Sequence, residues 1–120
     1  MDNAKILHLT IEKKWFEMIA SGEKKEEYRA LSQYWIKRLL EHSNIKSSDN
    51  IHEFLNENNN KDFCFKRFDY VHFFNGGYFS EKLPNFMVKL ESISIGFPNP
   101  QWIYEPSMKC LILKLGEIVK

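Results

Sequence analysis

Long apolar runs are missing from this 120-residue chain, and so is a basic-then-apolar opening. No stretch approaches the roughly 18 residues that a membrane span needs, and the start Met1-Asp2-Asn3-Ala4-Lys5 is polar. Neither a membrane partner nor a secretory leader is expected, and the default location is cytoplasmic. Cysteine is scarce: Cys64 and Cys110 stand in Phe-Cys-Phe and Lys-Cys-Leu contexts that predict reduced, buried thiols rather than a disulfide. His8, His42, His52 and His72 are scattered without the two-histidine spacing that zinc sites use, so neither a metal nor another cofactor is expected. A surplus of one sign of charge is lacking as well. Seventeen Lys and Arg against sixteen Asp and Glu leave +1, which excludes attachment to a polyanion through a broad field; any such contact needs a local patch.

What the chain does have is core material. At 43% apolar and 15% aromatic it can bury the interior of one domain, so residues 1–120 are read as a single unit. A strand from Ala4 to Leu9 leads through Thr10, a candidate N-cap, into a helix from Ile11 to Ser21 with Trp15, Met18 and Ile19 at helical spacing. Gly22 stands where a left-handed C-cap residue belongs. Leu31, Trp35 and Leu39 predict a second helix over about 32–42. The polar, Asn-rich segment at about 43–62 reads as a surface insertion, helical around Ile51, Phe54 and Leu55 or disordered.

Beyond the insertion the pattern is β. Strands are predicted over Phe68–Phe74, Phe86–Ile95 and Met108–Val119, separated by Asn75-Gly76-Gly77 and by a loop holding three prolines. Phe63, Phe65, Phe68 and Phe73 read as core. In the strand Phe86–Ile95 the two faces exchange apolar character midway, which a bend or bulge at a barrel corner produces. The fold class is α+β: a small mixed β-barrel of five or six strands with two main helices.

The densest chemistry lies in Gly22-Glu23-Lys24-Lys25-Glu26-Glu27-Tyr28-Arg29, read as a strand leaving the first helix. Regular alternation would put Lys25, Glu27 and Arg29 on one face and Lys24, Glu26 and Tyr28 on the other. Lys24, Glu27 and Arg29 are the leading site residues, because Arg offers a planar fork of donors to phosphate or carbonyl groups and Glu accepts from an exocyclic amine. The competing account is a solvated strand whose charges pair with one another for about 0–1 kcal/mol each.

Gly22, Lys24, Glu27 and Arg29 spell G-x-K-x-x-E-x-R, which resembles the signature of the ASCH domain, a small PUA-like β-barrel related to domains of RNA-modifying proteins. The order of opening strand, Trp/Phe helix, motif strand, a strand ending in Phe74-Asn75-Gly76 and a closing Leu111–Leu115 strand extends the likeness over most of the chain. The resemblance implies that Lys24, Glu27 and Arg29 line a cleft in the barrel wall and that the partner is RNA or a nucleotide or nucleoside.

Aromatic residues beside Gly and Pro supply stacking candidates: Phe74, Tyr78, Trp102 and Tyr104, with Trp102 preferred. Each can equally be a plug at one end of the barrel. Asn75 offers an amide to a base edge, or is simply a turn residue. Two alternatives to nucleic-acid binding stand beside it. Some proteins similar to this one are amidohydrolases of acetylated cytidine, with a nucleophilic threonine at the position of Glu27; here Lys24 and Glu27 would be catalytic only as an oxyanion stabiliser and a general base on water. The other is a protein-interaction adaptor presenting Trp35 on the second helix, or the insertion.

Overall fold

In β1, Ile6–Ile11, alternation settles the faces: Leu7, Leu9 and Ile11 are buried and Ile6, His8 and Thr10 take the other side. The computed structural model describes residues 3–41 and 64–119, and β1 runs on to Ile11, past the predicted end. Thr10 is therefore a strand residue and not a cap. Helix α1 spans Lys13–Ala20 behind Glu12, whose side chain makes no capping bond, and it buries Trp15 and Ile19. Gly22 has φ +84°, the left-handed turn expected of it.

The motif strand β2 is Glu26–Arg29 and helix α2 is Gln33–Leu39. Ser32 caps α2, its Oγ accepting from the Trp35 backbone N–H at 3.3 Å, and Ile36 and Leu39 face the core. Three longer strands follow: β3, Tyr70–Asn75; β4, Asn85–Gly96; and β5, Cys110–Val119. A single 3₁₀ turn, Pro100–Trp102, lies in the proline loop. Among the described residues no helix is long and apolar enough to cross a membrane.

The sheet has five strands in the order β1-β3-β4-β5-β2, with β1 and β3 parallel and every other pair antiparallel. A parallel neighbour needs a long crossover, and α1, β2 and α2 supply it. Register shifts in β4 between Val88 and Leu90 and again between Leu90 and Ser92 are the predicted change of face. They curl the sheet into a half-barrel around Leu7, Leu9, Ile36, Leu39, Val71 and Phe73.

Strands β1 and β2 are the two edges, and side chains span the gap between them. Arg29 Nη2 of β2 donates to the Thr10 carbonyl of β1 at 2.9 Å, and Arg38 Nη2 of α2 donates to the His8 carbonyl at 3.2 Å. Trp35 lies half-buried between these two arginines, with both guanidinium carbons 5.2 Å from its ring. Among the described residues, Arg29 and Arg38 thus satisfy two carbonyls of the β1 edge.

Two expectations need correcting. Cys110 is buried as predicted, but Cys64 is exposed, because it precedes β3 outside the ladder. Phe74 faces away from the predicted cleft and is covered by neighbouring rings on the outer side of the sheet. The predicted insertion at about 43–62, with Ile51 and Phe54, and Phe63 beside it, lie outside the described residues.

Candidate functional site

The chain leaves α1 by a tight turn in which the Lys24 N–H donates to the Met18 carbonyl at 3.0 Å. Lys24 thus lies before β2 begins, and the alternation that would have set it opposite Glu27 does not apply. Its side chain folds to the Glu27 side. Antiparallel pairing with β5 sets Glu27 opposite Leu113 and Arg29 opposite Leu111, which fixes both motif residues on the curled sheet.

One carboxylate gathers three donors. Glu27 Oε1 accepts from Lys24 Nζ at 2.8 Å and from the Tyr28 N–H at 3.0 Å, while Oε2 accepts from Arg29 Nη2 at 2.8 Å. Side-chain exposure of 1% for Lys24, 7% for Glu27 and 18% for Arg29 removes this network from the class of surface ion pairs. In a buried network each charge must be compensated, and removing a partner costs far more than an exposed pair gains. Lys24 Nζ also lies 4.6 Å from the Trp15 ring and 5.5 Å from the Tyr28 ring.

Within the motif two cations share a single carboxylate, while Glu12 and Glu105 also border the cleft, so its lining as a whole has no surplus of positive charge. Burial, with a smaller push from Arg29, lowers the proton affinity of Lys24, and Glu27 opposes that shift. Arg29 spends Nη2 on both Thr10 and Glu27, yet its Nε is buried without a partner. A buried donor in that state carries an uncompensated desolvation cost.

The three motif residues border one cleft of about 380 Å³, whose walls include Thr10, Glu12, Trp15, Tyr28, Trp102 and Tyr104. Trp102 is set by a hydrogen-bonded relay. Tyr28 Oη donates to Glu26 Oε1 at 2.6 Å and accepts from the Asn99 N–H at 3.0 Å, and Asn99 Oδ1 accepts from the Gln101 N–H at 2.9 Å. Burial and the Glu26 bond hold the Tyr28 phenol far above its usual range, so it stays protonated in this relay. Tyr104, 59% exposed, leans on the Trp15 ring at 5.0 Å and donates to Glu12 Oε1 at 2.9 Å.

Of the predicted site residues, Lys24, Glu27, Arg29 and Trp102 meet in this cleft. Asn75 and Tyr78 do not border it. Asn75 ends β3, where its Nδ2 donates to the Ile11 carbonyl at 3.4 Å, and Tyr78 is exposed in the turn between β3 and β4. Sequence reasoning missed Trp15 and Tyr28 as cleft walls. Trp15 carries only a core signal in the helical spacing, and what brings it to Lys24 is the turn at Gly22. Among the described residues no group of three or more potential metal ligands is gathered. No family model, curated protein or solved structure matches this chain.

Proposed function

We propose that this chain is an ASCH-like, PUA-like domain that binds RNA or a nucleotide in the cleft bounded by Lys24, Glu27, Arg29 and Trp102. The observation that carries the reading is the meeting of the buried Lys24–Glu27–Arg29 network with the Trp102 and Tyr104 rings on one concavity. A base stacks on Trp102, and the partly exposed edge of the Arg29 guanidinium donates to a carbonyl or phosphate oxygen. Lys24 and Glu27 are positioning residues: they hold the guanidinium, and their own groups are already engaged.

Titration of nucleoside monophosphates and free nucleosides, read by tryptophan fluorescence, tests this. Trp102→Ala should weaken binding by about five- to 150-fold, the worth of one stacked base. Unchanged binding in a Lys24→Ala, Arg29→Ala double variant would place the ligand elsewhere.

A second reading, hydrolysis of an acylated nucleoside, draws on the lowered proton affinity of Lys24 beside Glu27. Here Glu27 takes a proton from water, the resulting hydroxide adds to the acyl carbonyl, Lys24 stabilises the oxyanion, and the amine leaves with the proton. Against it, three donors already occupy Glu27, leaving about one acceptor site for the water. Mass spectrometry over a panel of acylated nucleosides decides it: deacylated product that disappears in Glu27→Gln supports the reading, and no product removes it.

A further inference from the structure

The outer face of the sheet, on the side opposite the core, carries a second constellation that the cleft does not use. Register aligns three rows across β1, β3 and β4: Ile6, Tyr70 and Lys89; His8, His72 and Met87; Thr10, Phe74 and Asn85. The middle strand thus presents Tyr70, His72 and Phe74 in succession, spaced by about 6.6 Å as alternate residues of a strand are. His8 and His72, far apart in sequence, lie side by side with ring centroids 5.6 Å apart, and His72 is 4.2 Å from Phe74. Phe79 comes over from the β3–β4 turn, edge-on to His8 at 6.1 Å and to Phe74 at 5.4 Å, and is still 57% exposed.

The nine aligned positions carry charge of one sign, although Asp69 and Glu91 share a hollow with Tyr70 and Lys89 at one end. None of the nine aligned positions carries a carboxylate, Lys89 is exposed at one end, and Arg38 borders His8 at the β1 edge. Asp69 and Glu91, beyond the Tyr70 row, each pair with a cation, Arg67 at 3.5 Å and Lys114 at 3.9 Å. A row of rings flanked by Arg38 and Lys89, its neighbouring acids each paired with a cation, is the chemistry that takes unpaired bases on their flat faces and phosphates at the margin.

We propose that the β1–β3–β4 face, through His8, His72 and Phe79 with Arg38 and Lys89 at its borders, is a stacking platform for single-stranded nucleic acid. It is separate from the cleft, and its case does not depend on the cleft holding a ligand. Recognition is by stacking and backbone charge, so it tolerates different bases.

The test uses the full chain with fluorescein-labelled 12-mer oligouridylate and oligothymidylate, followed by anisotropy. The expected result is binding whose log–log salt slope is about −1.4, two phosphate contacts on a single strand. A Phe79→Ala, His8→Ser double variant, altered only at exposed rings, should weaken that binding at least about fivefold, the lower worth of one stacked base. Its circular dichroism and thermal melt should match the parent, and the His72 imidazole NMR signals should shift on adding oligomer to the parent. Equal affinity for the two oligomers assigns the contact to stacking, and tighter binding of oligouridylate adds a 2′-hydroxyl contact; both support the platform. Trp102→Ala separates the sites: it impairs mononucleotide binding in the cleft and leaves the Phe79-dependent oligomer binding intact. Absence of oligomer binding, binding indifferent to the Phe79→Ala, His8→Ser change, or self-association lost in that variant without any oligomer response would overturn the proposal, the last by assigning the face to a second copy.

Discussion

Arg29 of the last strand in the sheet donates to the backbone carbonyl of Thr10 in the first, at 2.9 Å, and so joins the two edges of the half-barrel with a side chain. The same guanidinium holds Glu27 and borders the cleft. Closure of the fold and construction of the site are therefore one arrangement, and variants of the motif are expected to report on both.

Glu27→Gln should be the most destabilising single change in the cluster. It leaves Lys24 and Arg29 as two buried cations facing a neutral amide, and breaking such a network costs about 3–5 kcal/mol. Lys24→Met should cost less, because Glu27 keeps Arg29 as its counter-charge. Denaturant unfolding of both variants checks the order.

Arg29→Ala should loosen the seam. Thr10 loses its carbonyl partner, a loss of about 1–3 kcal/mol if the group stays dry, and hydrogen exchange should quicken in β1 and β2 ahead of β4 and β5.

Acid should destabilise the chain through His8. Burial, then His72 and Arg38, hold its imidazole below the usual range, so the unfolded chain takes up the proton first. Stability from this group is complete above the unfolded value of about 6.5 and falls as the pH drops through it toward the folded one. The urea midpoint should decline between pH 7.5 and pH 5, and His8→Gln should flatten that decline.

Tyr28→Phe should impair ligand binding without touching the ligand. It removes the hydroxyl that ties Glu26 to Asn99, frees the turn that carries Trp102, and costs about 1 kcal/mol of stability. Binding should weaken while the oligomer contact at Phe79 is unaffected.

Thiol chemistry should distinguish the cysteines. Burial, reinforced by Glu26 and Glu27, pushes the Cys110 thiol up to about 11, whereas Cys64 is exposed. One thiol per chain should react promptly with a disulfide reagent at pH 8, and Cys64→Ser should abolish that reaction.

Local patterns carried most of the fold. Apolar runs placed β1 and the interior of β5, though Ile6, expected inward, takes the outer face; helical spacing placed Trp15 and Ile19, and the exchange of faces in β4 announced its bulges. Boundaries failed where register decided them: Thr10 looks like a cap, but its place in the β1–β3 ladder, opposite Phe74, outweighs that local preference. In the site, Lys24, Glu27 and Arg29 were legible as a charged motif whose resemblance implied a shared cleft, yet strand alternation set Lys24 opposite Glu27, because their convergence depends on a turn that breaks the strand period. Asn75 and Tyr78 have the same Gly-rich context as a cleft loop and lie elsewhere because β3 runs parallel to β1. His8 and His72 could not have been paired from spacing, as only that parallel register brings them together.

Isothermal titration of nucleoside monophosphates into the parent chain and Arg29→Lys tests the central claim most directly. Lysine keeps the charge beside Glu27 but lacks the planar fork and the Nε donor. The account predicts measurable binding to the parent and a loss of about tenfold or more in the variant, the worth of a charged hydrogen bond. Equal affinity in both chains, with the variant folded, would contradict it.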